Sequence, residues 1–197
     1  NAGVDRIDAI LYTHAHADHV NGIDDIRSLN HYHGGAIDAF GSIETLDVLQ
    51  ERFAYIFEPY REVNPQFWRP CLTPHVIDGT FTIGDIEIRP FHQEHGRMPS
   101  LGFRFGKFGY STDVKTLPEE AFDLLAGIEV WIVDALGETP HPTHSHVDQT
   151  LEWIARIAPE RAVLTHLSNR TDYARLAARL PAGVEPGIDG MVIHIPE

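Results

Sequence analysis

Within six residues, the stretch His14-Ala15-His16-Ala17-Asp18-His19 gathers three imidazoles and one carboxylate. It follows the apolar run Ile7–Thr13, which reads as a buried strand, and it opens a segment with helical spacing. Side chains in extended chain repeat every second residue, so His14 and His16 point to one side and can grip one ion. Asp18 and His19 are adjacent at the helix entry, turn differently, and suit a second ion nearby. Imidazole and carboxylate donors together favour zinc, manganese or iron over magnesium or calcium. The plainer reading is a polar strand-to-helix loop with chance histidines. Three histidines and an aspartate directly after an apolar strand make it the weaker one.

The composition agrees. Thirteen histidines approach the fifteen Lys plus Arg, which points toward metal or acid–base chemistry. Cys71 is the single cysteine, which excludes an intrachain disulfide and a cysteine-based zinc cluster; it reads as a small buried residue. A formal net charge of −14 repels phosphate polymers, disfavouring nucleic-acid polymers as partners and membrane binding through basic patches. No apolar run approaches the ~20 residues of a membrane span, and the opening NAGVDRID has no apolar signal-peptide region. A cytoplasmic location is expected. With 43% hydrophobic residues, the 197-residue chain fits one domain, residues 1–197.

The elements that must position these residues alternate between strand-like and helix-like. Val20, Ile23, Ile26 and Leu29 predict a helix over Asp18–Leu29, with Asp18 as its cap. Ile37–Phe40 reads as a strand, and Ser42 caps a helix to about Phe53. Residues 57–74, with four prolines and several aromatics, read as a loop that shapes a substrate site. From Thr80 the signal is β, through FTI, IEIRPF and LGFRF–GK–FGYST, with Gly106 and Lys107 in a hairpin turn. Then come helix Pro118–Leu125, strand Glu129–Asp134, helix Val147–Ile157, strand Ala162–Thr165, helix Tyr173–Leu180 and strand Met191–Ile195. The alternation predicts a layered α/β domain.

The His-x-His-x-Asp-His stretch after a strand resembles the signature of the metallo-β-lactamase superfamily. That resemblance implies a four-layer αββα sandwich with a binuclear site at one edge, and the family's strands before the first histidine motif are expected to be missing from this chain. It also implies three further ligands in order. His95 fits the first, because His95-Gly96 followed by Leu101-Gly102-Phe103 is similar to the family's third motif. His92 in the same stretch then reads as a residue behind the ligands or on the surface. Tyr110-Ser111-Thr112-Asp113 matches the bridging aspartate, and Leu164-Thr165-His166 the last ligand. One ion is expected on His14, His16 and His95 and the other on Asp18, His19 and His166, with Asp113 shared.

The cluster His141-Pro142-Thr143-His144-Ser145-His146 precedes the last ligand. His144, 22 positions before His166, resembles the acid–base histidine of phosphodiesterase members. His146 is its nearest competitor, and His141 is expected to support the site or contact substrate. The resemblance lies nearest the branch that includes phosphoribosyl cyclic-phosphate phosphodiesterases and, further off, ribonuclease Z. It implies two divalent transition metals, zinc or manganese, a bridging hydroxide as nucleophile with Asp18 orienting it, and His144 protonating the leaving oxygen. The expected partner is a small cyclic or nucleotide-like phosphate ester, with a homodimer admitted. The alternatives are a thioester or lactam hydrolase of the same fold, tRNA 3′ processing, which the negative charge disfavours, and a non-catalytic metal-binding module. His31, His33, His75 and His194 match no motif and read as ordinary.

Overall fold

The computed structural model describes residues 6–59 and 70–195. The chain forms two compact units, Asn1–Gly79 and Thr80–Glu197. Among the described residues, no helix is long and apolar enough to cross a membrane.

The first unit holds a parallel sheet in the order β1 (Ala9–Leu11), β2 (Ile37–Gly41), β3 (Leu72–Val76). Between β1 and β2 come α1 (Ala17–Val20), a 3-10 turn (Asn21–Asp25) and α2 (Ile26–His33). The continuous helix expected over Asp18–Leu29 is therefore broken. Its apolar residues recur every third position, the period of a 3-10 turn rather than an α-helix, and Asn21-Gly22 favours turning at the break. Asp18 lies inside α1; the capping position is His16, with no side-chain cap bond.

Ser42 does cap α3 (Ile43–Arg52), its Oγ accepting from the Thr45 backbone N–H at 3.2 Å. Two parts of the segment expected as a loop are ordered: α4 (Ala54–Phe57) reaches into it, and Leu72–Pro74 belong to β3. Pro74 is tolerated because β3 is an edge strand. The rest of that expectation, residues 60–69, lies outside the described residues. Asn30, fully buried, donates from Nδ2 to the carbonyls of Gly35 and Cys71, both at 2.8 Å, and so ties the end of α2 to the chain entering β3.

The second unit is built on a seven-stranded sheet in the order β10-β9-β8-β7-β6-β5-β4. β4 (Phe81–Ile83), β5 (Ile86–His95), β6 (Met98–Phe105) and β7 (Phe108–Ser111) pair antiparallel, with Gly106 and Lys107 in the β6–β7 turn. β7, β8 (Val130–Asp134), β9 (Arg161–Thr165) and β10 (Val184–Pro186) pair parallel. The crossovers are α5 (Glu119–Leu125), α6 (Val147–Ile157) and α7 (Tyr173–Arg179). Trp131, Val133 and Leu164 lie fully buried at the centre of this unit's core. The last strand is Val184–Pro186, not Met191–Ile195. Apolar alternation at 191–195 is real, but the edge of β9 is taken by the earlier segment, whose Val184 pairs with Ala162. Val192 is left 74% exposed.

Helix α6 ends on Ala158, in the left-handed region at φ 53°, where a Cβ is strained and glycine is preferred. Ala158→Gly is expected to stabilise the protein by about 0.5–1 kcal/mol, read as a higher denaturant midpoint at unchanged slope. An unchanged or lower midpoint would mean that the methyl group contributes more than the strain costs.

Candidate metal centre

In the first unit, the His14–His19 stretch leaves the C-terminal end of β1 and enters α1. His14 is fully buried. Its Nε2 lies 2.9 Å from His16 Nδ1, and the Thr13 hydroxyl meets its Nδ1 at 3.1 Å. The rings of His14 and His16 are 4.6 Å apart, and those of His14 and His19 4.4 Å. His16 is extended (ψ 150°), so the alternation that the sequence predicted does bring His14 and His16 together. The Asp18 carboxylate lies 3.5 Å from His19 Nε2. The expected donors of this stretch thus stand close in two pairs, His14 with His16 and Asp18 with His19.

In the second unit, the expected residues stand at the C-terminal ends of strands, where α/β sheets place their sites. His95 is the last residue of β5, Asp113 follows β7 and His166 follows β9. β5 runs through His95 rather than ending before His92, so the two histidines fall on opposite faces of the strand. Alternation buries Phe91, Gln93 and His95 and exposes His92 and Glu94. His92 is therefore a surface residue on the opposite face.

His95 Nδ1 donates to the Thr143 carbonyl at 2.8 Å, which fixes its tautomer and turns Nε2 toward Asp113 Oδ2 at 3.5 Å. Gly96, beside it, has φ +66°, and a Cβ there would lie 2.5 Å from the Thr143 methyl, so this close approach requires glycine. His166 Nε2 lies 3.3 Å from Asp113 Oδ1. Both Asp113 (φ 51°) and His166 (φ 58°) hold left-handed backbone, strain that clusters at functional sites. Thr112 Oγ1 donates to Asp113 Oδ1 at 2.9 Å, and Ser100 Oγ to the Asp113 carbonyl at 2.8 Å.

His144 also faces Asp113. Its Nε2 is 3.9 Å from Oδ2, and its ring stacks on His166 at 4.8 Å. Nδ1 donates to Asp134 Oδ2 at 3.0 Å, and the same oxygen accepts the Val114 N–H at 2.9 Å. Asp134 is fully buried at the end of β8. Sequence reasoning passed over it, because an aspartate closing an apolar strand reads as a turn residue; its one signal was a histidine cluster within a dozen residues. His141 lies 5.2 Å from His144, ring to ring, and accepts the Thr143 N–H at 3.4 Å. Partial burial, with the neighbouring His144 and Lys115, holds His141 below the ordinary histidine range despite Asp134. His146 is instead the capping residue of α6, its ring Nδ1 buried without a hydrogen bond among the described residues. His75, read as ordinary, pairs with Asp38 at 2.8 Å and stacks on Phe40.

This donor set fits a transition metal. Two ligand atoms each ~2.1 Å from one tetrahedral ion lie roughly 3.4 Å apart, close to the 3.3 and 3.5 Å that separate Asp113 from His166 and His95. Asp113, His144 and His166 each offer a donor atom within 4.8 Å of the others.

Comparison with known proteins fits this geometry. A family model described as the beta-lactamase superfamily domain matches residues 1–167. The chain is 31% identical over 200 residues to the octanoyltransferase of Porphyromonas gingivalis, covering 100% of this chain and 39% of that protein. It is 35% identical over 107 residues to the ribonuclease Z of Bradyrhizobium sp., covering 53% of this chain and 34% of that protein. The chain thus spans well under half the length of these curated relatives. The crystal structure of a diphosphatase of the PhnP family superposes with a TM-score of 0.86 at 30% identity, over 96% of this chain and 71% of that one. The chain belongs to the metallo-β-lactamase superfamily, and its mixed α/β architecture is that family's fold.

Proposed function

We propose that the chain is a binuclear metal-dependent phosphodiesterase acting on a small cyclic or nucleotide-like phosphate ester. Its two units act as one metallo-hydrolase domain, residues 1–197. His14, His16 and His95 hold one ion and Asp18, His19 and His166 the other, with Asp113 shared. This assignment rests on the order of the motifs and on family membership. The ions are divalent, zinc or manganese by donor type. When bound, they supply a water acidified to near neutrality and positive charge for the developing oxyanion.

The chain's own residues do the rest. Asp18 accepts a hydrogen bond from the attacking water and so orients it. Asp134 accepts the Nδ1–H of His144, so the acid is the imidazolium paired with that carboxylate: its Nε2–H faces the reacting centre and delivers its proton to the leaving oxygen, leaving a neutral ring with the proton on Nδ1. The buried His144–Asp134 pair beside Asp113 is the observation that carries the reading. An alkoxide is a poor leaving group and needs an acid, whereas a thiolate does not.

The names of two relatives, a diphosphatase and a ribonuclease Z, also concern phosphate bonds. The octanoyltransferase relative favours a second reading, attack at an acyl carbonyl, although this chain spans 39% of that protein. The protein loaded in turn with zinc and manganese is assayed on cyclic phosphates, linear phosphodiesters, phosphoanhydrides, thioesters and a lactam. Turnover of phosphate substrates at least about 10²-fold above the acyl substrates is expected, on the scale of lost acid catalysis. The reverse order would establish the acyl reading.

A further inference from the structure

We propose that Gln93 and Ser100 are positioning residues for the Asp113 carboxylate, and that they set how tightly the metal centre holds its ions. This rests on Asp113 being a metal ligand, the reading given above, and adds what fixes that ligand in place. All the residues involved lie in the second unit.

The ladder between β6 and β7 stops short of Asp113. It runs from Phe105 opposite Phe108 to Phe103 opposite Tyr110. Continued along both strands, that register sets Ser100 opposite Asp113, where φ 51° has already turned the chain out of the extended form. Beyond the ladder, side chains take over. Ser100 Oγ donates to the Asp113 carbonyl at 2.8 Å. Gln93, directly across from Ser100 on β5, uses its amide twice: Nε2 donates to Ser100 Oγ at 3.1 Å and to the Thr112 carbonyl at 2.9 Å. A carbonyl can only accept, so the donors run one way, from Gln93 through Ser100 to Asp113. The carbonyls of Asp113 and of the residue before it are thus both held from β5 and β6. Thr112 Oγ1 in turn donates to the Asp113 carboxylate at 2.9 Å.

These side chains lie where polarity is costly. Gln93, Ser100, Thr112 and Asp113 are all buried, and Gln93 Oε1 meets no donor among the described residues. An apolar side chain of that length would fill the space without an unsatisfied oxygen. Only an amide supplies two donors to two acceptors beside Asp113. The sheet also makes room for it. Gly102 lies on β6 in the stretch that resembles the family's third motif, and a Cβ there would stand 2.3 Å from the Phe91 ring and 2.6 Å from Gln93 Oε1. Left-handed backbone at an aspartate is strained and lasts only where its surroundings hold it. Loss of the Ser100 bond frees the Asp113 carbonyl to turn. The carboxylate of the same residue then shifts from its place 3.3 Å from His166 and 3.5 Å from His95, and groups that orient a ligand in this way govern metal affinity.

The test is the zinc affinity of the full chain, measured by competition with a chromophoric chelator, beside the denaturant midpoint of the metal-free protein. Ser100→Ala is expected to weaken zinc binding about 10–100-fold, the range for a lost partner behind a ligand. Ser100→Thr, which keeps a hydroxyl, should restore most of it. Gln93→Met, similar in length but without donors, should also weaken binding, and it decides alone if Ser100→Ala does not fold. Leu176→Ala, which truncates a fully buried side chain in the same unit's core, is the control. Its midpoint should fall while its zinc affinity stays. Parent affinity in Ser100→Ala or in Gln93→Met, or an equal loss in Leu176→Ala, would overturn the proposal. Asp113→Ala separates that result from a failure of the ligand assignment. If Asp113→Ala binds zinc as the parent does, or the parent binds none, Asp113 is not a ligand and both fail.

Discussion

His144→Ala is expected to keep its metal content and to lose about 10²–10⁴-fold in turnover of an alkyl phosphodiester, the range for a lost general acid. The geometry requires this split. Nδ1 is committed to the buried Asp134 at 3.0 Å, while Nε2 stands 3.9 Å from Asp113, further than His95 at 3.5 Å or His166 at 3.3 Å. His144 thus sits beside the ligand set with one nitrogen tethered behind it. The loss should shrink for a nitrophenyl ester, because nitrophenolate departs without a proton. Steady-state kinetics on both esters, with metal analysis of the same preparations, checks this. An equal loss on both would make His144 a substrate-positioning group. A simultaneous loss of metal would move it into the ligand set, as its closeness to His166 permits.

Asp113→Ala is expected to cost more, and differently. The carboxylate is 2% exposed and faces three imidazoles. Removing it deletes the donor assigned to both ions. Metal content and activity should fall together whatever the leaving group, and added metal should not restore the rate. Ser100 Oγ donates to the Asp113 carbonyl at 2.8 Å, a backbone bond that the alanine variant keeps, so circular dichroism should show the fold retained. A variant that binds metal as the parent does would remove Asp113 from the assignment.

Much of this was legible in the sequence, for identifiable reasons. The His14–His19 stretch is contiguous, and strand parity alone brings His14 beside His16. Asp113 and His166 follow apolar strands, and their order carried them. His95 was separable from His92 by motif resemblance; the physical reason, burial parity along β5, needed the strand's true end.

Three features were not legible. The helix expected from Asp18 broke because an apolar spacing of three fits a 3-10 turn as well as a helix. The final strand was misplaced because alternation does not say which segment reaches the edge of β9. Asp134 was missed because its role depends on a partner ten residues away across a crossover loop, a contact that no local pattern encodes.

The most direct test is metal stoichiometry. The purified chain, loaded with zinc or manganese, dialysed against metal-free buffer and measured by elemental analysis beside protein concentration, should hold two ions per chain. Asp113→Ala, His14→Ala and His166→Ala should each hold fewer, and His92→Ala should hold two. Two ions retained by the three ligand variants, or none in the parent chain, would contradict the assignment of this site as a binuclear metal centre.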